Sequence, residues 1–184
     1  MVAPHTHGKE AAVGTLSKVI VTGPFDAGKT QFISTVSDID VVTTERKITT
    51  EDRGIKAETT VAMDYGRVDI DGVTLHLNGT PGQVRFDFMW EILATEMNGF
   101  IVLVDSTDPL SFADARDLID LFHDFNAVPY LVAANKQDME GAVDINEVRR
   151  GMAAGDNVLV MPCVATQRTS VQQVLRQMIE LIYG

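Results

Sequence analysis

One cysteine in 184 residues, Cys163, leaves no partner for an internal disulfide, which excludes a disulfide-stapled secreted scaffold and points to a reducing compartment. Cys163 closes an apolar run and reads as a small core residue rather than a reactive thiol. Positive charge is also scarce: 15 Lys and Arg stand against 26 Asp and Glu, a formal net charge of −11. That balance argues against a nucleic-acid-binding surface and against a general attraction to anionic lipid, and leaves proteins as the expected partners. No window holds the roughly eighteen consecutive apolar residues that a membrane span needs. The first residues have no apolar run of the signal-peptide kind, Val2 stands where N-myristoylation needs glycine, and Leu181-Ile182-Tyr183-Gly184 carries no prenylation cysteine. The expectation is a cytoplasmic chain with no direct membrane anchor, brought to a membrane only by a partner. Repeats and low-complexity segments are missing too, and 184 residues at 45% hydrophobic and 22% charged suffice for one core. Residues 1–15 are expected to be a flexible tail and 16–184 a single domain.

What the chain does have is Gly23-Pro24-Phe25-Asp26-Ala27-Gly28-Lys29-Thr30, the Walker A spacing of Gly, four residues, Gly, Lys and Ser/Thr. Inward-turned backbone N–H groups make a concave anion site, and the following helix points its positive end at the same spot. Lys29 is placed to reach β and γ oxygens of a triphosphate, as a binding and catalytic contact, and the Thr30 hydroxyl to ligate Mg²⁺. The strand-like Lys18-Val19-Ile20-Val21-Thr22 before the motif and the helix-compatible Gln31-Phe32-Ile33-Ser34-Thr35-Val36 after it supply the required context. Gly23, Asp26, Ala27, Gly28, Lys29, Thr30 and Gln31 are therefore the expected phosphate-side residues. Asp26 poses a problem there, because a carboxylate beside phosphates is repelled; it must point away, bond a neighbouring N–H, or sit near a cation.

A second motif points to the base. The buried-strand run Tyr130-Leu131-Val132-Ala133-Ala134 leads directly into Asn135-Lys136-Gln137-Asp138, about 105 residues after the phosphate loop. The Asp138 carboxylate can accept from both the N1–H and the exocyclic amine of guanine, and Asn135 can meet the other edge of the base; adenine offers no such donor pair. Lys136 belongs to the same turn. Near the C-terminus Val164-Ala165-Thr166 follows another apolar run, and the Ala165 N–H is positioned for the guanine O6.

Between the motifs, strand and helix patterns alternate, which implies an α/β fold with a mostly parallel sheet. Residues 61–70 and 73–78 are two strand-like runs joined by Asp71-Gly72, a strong hairpin signal that makes one edge antiparallel. Apolar spacing predicts helices over 113–125, 145–153 and 170–182, and another carrying Phe86, Phe88, Met89, Trp90, Ile92 and Leu93. Three rings at 86, 88 and 90 cannot share one helix face, so some should meet a partner or a switch loop. The Thr-rich, charged stretch from about 38 to 58 reads as a long mobile functional loop.

With the octapeptide at 23–30, Asn-Lys-Gln-Asp at 135–138, Thr-Thr-Val-Ala-Met-Asp-Tyr-Gly at 59–66, Gly-Thr-Pro-Gly-Gln at 79–83 and Arg85-Phe86, the chain resembles the Ras-like small GTPase superfamily. It is most similar to the branch with Arf-type and bacterial MglA-type proteins, and within it to the actinobacterial conservon-type GTP-binding proteins. The resemblance implies a three-layer P-loop NTPase G domain whose six-stranded, mostly parallel sheet has one antiparallel edge strand. It also implies a cytoplasmic signalling switch that binds GTP and GDP with Mg²⁺, hydrolyses GTP slowly, and works with a roadblock-type regulator or with a GTPase-activating or exchange protein. A GTP-binding scaffold with negligible hydrolysis is the alternative, and an ATP-using kinase-like protein a further one.

Several site residues follow from that pattern. Thr60, nineteen residues before Gly79, is expected as the second Mg²⁺ ligand and a γ-phosphate contact, with Thr59 in competition. Gly82 retains the N–H that detects the γ-phosphate, and Gln83 can orient the attacking water. The superfamily's Asp-x-x-Gly-Gln is Gly79-Thr80-Pro81-Gly82-Gln83 in this chain, so the carboxylate that holds Mg²⁺ through a water is missing. Asp64 and Asp105 are the candidate substitutes. Arg53 is the candidate arginine finger supplied in cis, with Arg85 as the other.

Overall fold

Val19, Ile20 and Val21 are apolar in succession, so a strand carrying them must be covered on both faces. In the computed structural model, which describes residues 15–52, 55–81 and 96–184, that strand is the middle one of a seven-stranded sheet. Strand β1 (Thr15–Thr22) lies parallel between β4 (Val73–Gly79) and β5 (Gly99–Asp105). β6 (Tyr130–Asn135) and β7 (Val160–Pro162) extend the parallel side. On the other flank β3 (Ile55–Ile70) runs antiparallel to β4, and β2 (Val42–Asp52) antiparallel to β3, for the order β2-β3-β4-β1-β5-β6-β7.

Side chains alternate across a strand. Val19 and Val21 therefore pack with Phe32 and Ile33 of α1 (Lys29–Val36) and with Val171, Val174, Leu175 and Met178 of α4 (Arg168–Tyr183), while Ile20 packs with Phe112 and Phe122 of α2 (Phe112–Phe125) and Val148 of α3 (Ile145–Gly151). These two clusters are the layers above and below the sheet. Every residue of β5 is buried, and β4 alternates buried Val73, Leu75 and Leu77 with half-buried Thr74, His76 and Asn78. Asp144 caps α3 by accepting from the Asn146 and Glu147 N–H groups at 2.8 Å and 2.9 Å. No helix of the described residues is long and apolar enough to cross a membrane.

The expected α/β class and mostly parallel sheet are present, with two corrections. The sheet has seven strands rather than six, because much of the stretch expected as a loop from about 38 to 58 forms β2 and the outer part of β3. Val42-Thr43-Thr44 and Ile48-Thr49-Thr50 are runs of β-branched residues that fit a pleated strand, and this preference outweighs their polarity. The strand antiparallel to its neighbours, β3, is thus not at the edge; β2 is. β3 pairs with β4 only over Tyr65–Ile70, so among the described residues β2 is the only strand paired with it from Ile55 to Asp64, and at the inner end of that stretch Asp64 also meets Thr30 of α1. The Asp71-Gly72 turn is as expected, with φ of 51° and 86°. Of the expected tail over 1–15, residues 1–14 lie outside the described residues, as does the expected helix carrying Phe86, Phe88 and Trp90, and Thr15 is the first residue of β1.

Candidate functional site

The phosphate loop leaves the end of β1 at Gly23 and enters α1 at Lys29. Gly23 has φ 146° and lies so close to β5 that a Cβ there would fall 2.2 Å from the Leu103 carbonyl oxygen. Gly28 has φ 95°, and a Cβ there would fall 2.4 Å from Asn135 Nδ2. The loop is thus pinned between two strands by the absence of side chains. Lys29, 9% exposed, folds back over the loop and donates from Nζ to the Gly23 and Pro24 carbonyls at 2.8 Å and 2.7 Å. An ammonium has three hydrogens, so one is left for an anion. Burial pulls the Lys29 pKa down to about 8, against the opposing pull of Asp64 and Asp26.

Beside Lys29, the Thr30 hydroxyl donates to Asp64 Oδ2, and Thr43 Oγ1 donates to Asp64 Oδ1 at 2.9 Å. Asp64 sits on β3 next to Gly79 of β4, where a side chain would begin 3.0 Å from Ile33 Cδ1 and 3.3 Å from the Asp64 Cβ. Asp64 thus puts a carboxylate beside position 79, in space the glycine leaves free. Two hydroxyls and one carboxylate are hard oxygen donors of the kind Mg²⁺ takes. Thr80 donates from Oγ1 to the Thr22 hydroxyl at 2.9 Å and is buried. Phe25, Asp26, Gly28, Lys29, Thr30, Gln31, Thr43, Asp64, Thr80 and Pro81 enclose a cavity of about 660 Å³.

A second cavity of about 250 Å³ adjoins it, lined by Asp26, Gly28, Gln31, Asn135, Lys136, Asp138, Met139, Val164, Ala165 and Thr166. Asn135 is 2% exposed; its Nδ2 donates to the Ala27 carbonyl at 2.9 Å and its Oδ1 accepts from the Ala165 N–H at 2.8 Å. It ties the phosphate loop to the 163–166 loop, and the Ala165 N–H that was expected to face a base oxygen is turned onto it. Asp138 is exposed in the wall of this cavity. Lys136, in a left-handed conformation with φ 63°, donates from Nζ to Asp105 Oδ2 at 2.6 Å and Asp26 Oδ2 at 3.3 Å. The open question about Asp26 is thereby answered: it sits near a cation. Burial disfavours the charges on Lys136 and Asp105, but their hydrogen bond prevails, raising the Lys136 pKa and lowering that of Asp105, which also accepts from the Thr107 N–H and hydroxyl. Of the two candidate carboxylates, Asp105 is thus engaged by Lys136 and Thr107, whereas Asp64 is the one that meets Thr30. Cys163 is buried, and burial pushes its thiol up to about 12, in keeping with an inert core residue.

Of the switch residues, Thr60 stands on β3 opposite Lys47. It lies four residues, about 13 Å of strand, from Asp64, so this conformation does not bring it to Thr30. Arg53, Gly82, Gln83 and Arg85 lie outside the described residues. Thr43 lines the site without having been singled out in the sequence, because it was hidden in the stretch read as a loop.

Comparison with known proteins agrees with this geometry. A model of the Ras family matches residues 18–184. An uncharacterized protein of Methanocaldococcus jannaschii is 35% identical over 132 residues, covering 71% of this chain and 76% of its own length. ADP-ribosylation factor-related protein 1 of Homo sapiens is 28% identical over 71% of this chain, which spans only 64% of that relative. The mutual gliding-motility protein MglA of Myxococcus xanthus is 24% identical over 147 residues, 73% of this chain and 74% of its own.

Proposed function

The chain belongs to the Ras family of small GTPases, and from that premise we propose that it is a switch that binds GTP and GDP with Mg²⁺ and hydrolyses GTP slowly. One observation carries this reading: the phosphate-loop cavity and the Asn135-Asp138 cavity share Asp26, Gly28 and Gln31, so a single elongated ligand can have its phosphates at Lys29 and Thr30 and its base at Asp138. Lys29 and the N–H groups at the start of α1 hold β and γ oxygens. Asp138 accepts from the two guanine donors, and the Asn135 strut keeps the two ends of the site at a fixed separation.

Gln83 orients a water whose oxygen bonds to the γ-phosphorus as the bond to the bridging oxygen breaks, leaving GDP and phosphate. Arg53, or Arg85, supplies the positive charge that this transfer favours, and Gly82 senses the γ-phosphate. Thr30 and Asp64 would hold Mg²⁺, which when bound neutralises charge on the β and γ oxygens. Thr60 would join them only when the β2–β3 hairpin rearranges, and the hairpin's pairing there, which among the described residues involves no third strand, supports such a change, since two strands by themselves are marginally stable. The hairpin and the segment around Gln83 would then be read by a protein partner, a roadblock-type regulator with a GTPase-activating or exchange role, in the cytoplasm.

The absent carboxylate at position 79 favours a second reading, a GTP-holding scaffold. Single-turnover hydrolysis of radiolabelled GTP separates the two. Slow release of phosphate that drops at least about tenfold in Gln83→Leu, with GDP affinity unchanged, is the expected result. Retention of GTP without phosphate release in the unaltered chain would establish the scaffold instead.

A further inference from the structure

We propose that Thr43, on the edge strand β2, is a positioning residue for the metal carboxylate: its hydroxyl holds Asp64 with one oxygen turned toward Thr30. The inference rests on the nucleotide reading above. Thr43 and Asp64 are direct cross-strand partners, and such partners put their side chains on the same face. Thr43 Oγ1 donates to Asp64 Oδ1 at 2.9 Å, while Oδ2 accepts from the Thr30 hydroxyl. The two oxygens of one carboxylate are thus tied to two different elements, β2 and α1, which restrains rotation about the Cβ–Cγ bond. Thr30, Thr43 and Asp64 all line the phosphate-side cavity, so the tie is made inside the site.

The backbone beneath Asp64 does not depend on Thr43. From Tyr65 onward β3 is paired to β4, and beyond the start of β2 the connection after α1 occupies its outer side. There the Asp38 N–H donates to the Arg67 carbonyl at 2.7 Å, and Asp38 Oδ2 accepts from the Asp69 N–H at 2.9 Å. Gly66 lies so close to α1 that a Cβ there would fall 2.6 Å from Ile33 Cγ2. These contacts fix where the Asp64 side chain starts; the Thr43 hydroxyl fixes how its carboxylate is turned. Only one register of β2 supplies that hydroxyl. A slip of one residue turns Thr43 to the other face of the sheet, and a slip of two sets Val41 or Glu45 opposite Asp64, neither of which carries a hydroxyl. The coupling is reciprocal: what metal binding gains from an oriented Asp64, the pairing of β2 gains from the metal. Thr60 is remote in this conformation, so Thr43 serves the site while Thr60 is away from it.

Retention of a fluorescent GDP analogue by the full chain, titrated with Mg²⁺, tests this together with amide exchange. Thr43→Val keeps the branched side chain that suits a strand and removes the hydroxyl; it should raise the Mg²⁺ concentration for half-maximal retention by about fivefold, the worth of one hydrogen bond. Thr43→Ser, which loses the branch but keeps the hydroxyl, should stay within about twofold of the original requirement. Added to Asp64→Ala, Thr43→Val should change nothing further, because the carboxylate it acts on is gone. In the unaltered GDP-bound chain Mg²⁺ should slow amide exchange at Val42, Thr43 and Thr44, and in Thr43→Val that slowing should vanish. An unchanged Mg²⁺ requirement in Thr43→Val overturns the inference, and so does an equal rise in Thr43→Ser, because the hydroxyl would then not be what matters. If the unaltered chain takes up no fluorescent GDP, the nucleotide reading itself fails and this inference falls with it.

Discussion

Lys29 is kept in a place that disfavours its charge, and its working range follows from that. In the nucleotide-free chain its pKa is lowered to about 8 by burial, while bound phosphates favour the protonated form. Affinity for GDP should therefore fall as pH rises through about 8, by up to about tenfold per pH unit, and Lys29→Arg should flatten the profile because guanidinium stays charged. The sign for folding is opposite. The unfolded chain holds this proton up to the ordinary value of 10.5, so between about 8 and 10.5 the group makes the nucleotide-free fold more stable as pH rises. A second prediction concerns the two carboxylates that the sequence left in competition. Asp64 touches Thr30, whereas Asp105 is bound to Lys136. Asp64→Asn should raise the Mg²⁺ concentration needed for half-maximal GDP retention by about tenfold, and Asp105→Asn should leave that requirement unchanged while loosening the base-side loop.

At the scale of elements, the site depends on loops that meet far from each other in sequence. Asn135→Ala would leave the Ala27 carbonyl and the Ala165 N–H without their partner in a site only 2% exposed, and unfolding by urea should show a loss of about 2–4 kcal/mol in the nucleotide-free chain. The hairpin makes a different prediction. If β2 unpairs to bring Thr60 inward, amides of Val42–Asp52 should exchange faster with a non-hydrolysable GTP analogue bound than with GDP, and equal exchange in the two states would oppose a switch located there. The central strands were legible in the sequence because burial on both faces writes a continuous apolar run, as at 19–21 and 130–134. The phosphate loop and Asn135-Lys136-Gln137-Asp138 were legible as spaced motifs, and the fold sets them along two adjoining cavities. β2 was not, since an edge ribbon of threonines and charges has no apolar face to betray it. Nor were the roles of Asn135 and Lys136 as braces, because their partners Ala27 and Asp26 lie 108 and 110 residues away and only the fold brings them together.

For the whole molecule, the sheet order explains why one site exists where it does. β1, β5 and β6 lie side by side and parallel, and their C-terminal ends deliver the phosphate loop, Asp105 and Asn135 to the same edge. The acidic balance of the chain, −11 overall, leaves Lys29 and Lys136 as the cations that face the two cavities among their lining residues, and both are held in position by hydrogen bonds. The central claim is that these two cavities are one guanine-nucleotide site. Displacement of a fluorescent GDP analogue by GTP and by ATP, with the unaltered chain and with Asp138→Asn, tests it most directly. GTP should displace the analogue at concentrations at least about 100-fold below ATP, and Asp138→Asn should remove most of that preference by deleting the acceptor for the guanine donors. Equal displacement by ATP and GTP, unaffected by Asp138→Asn, would contradict the account.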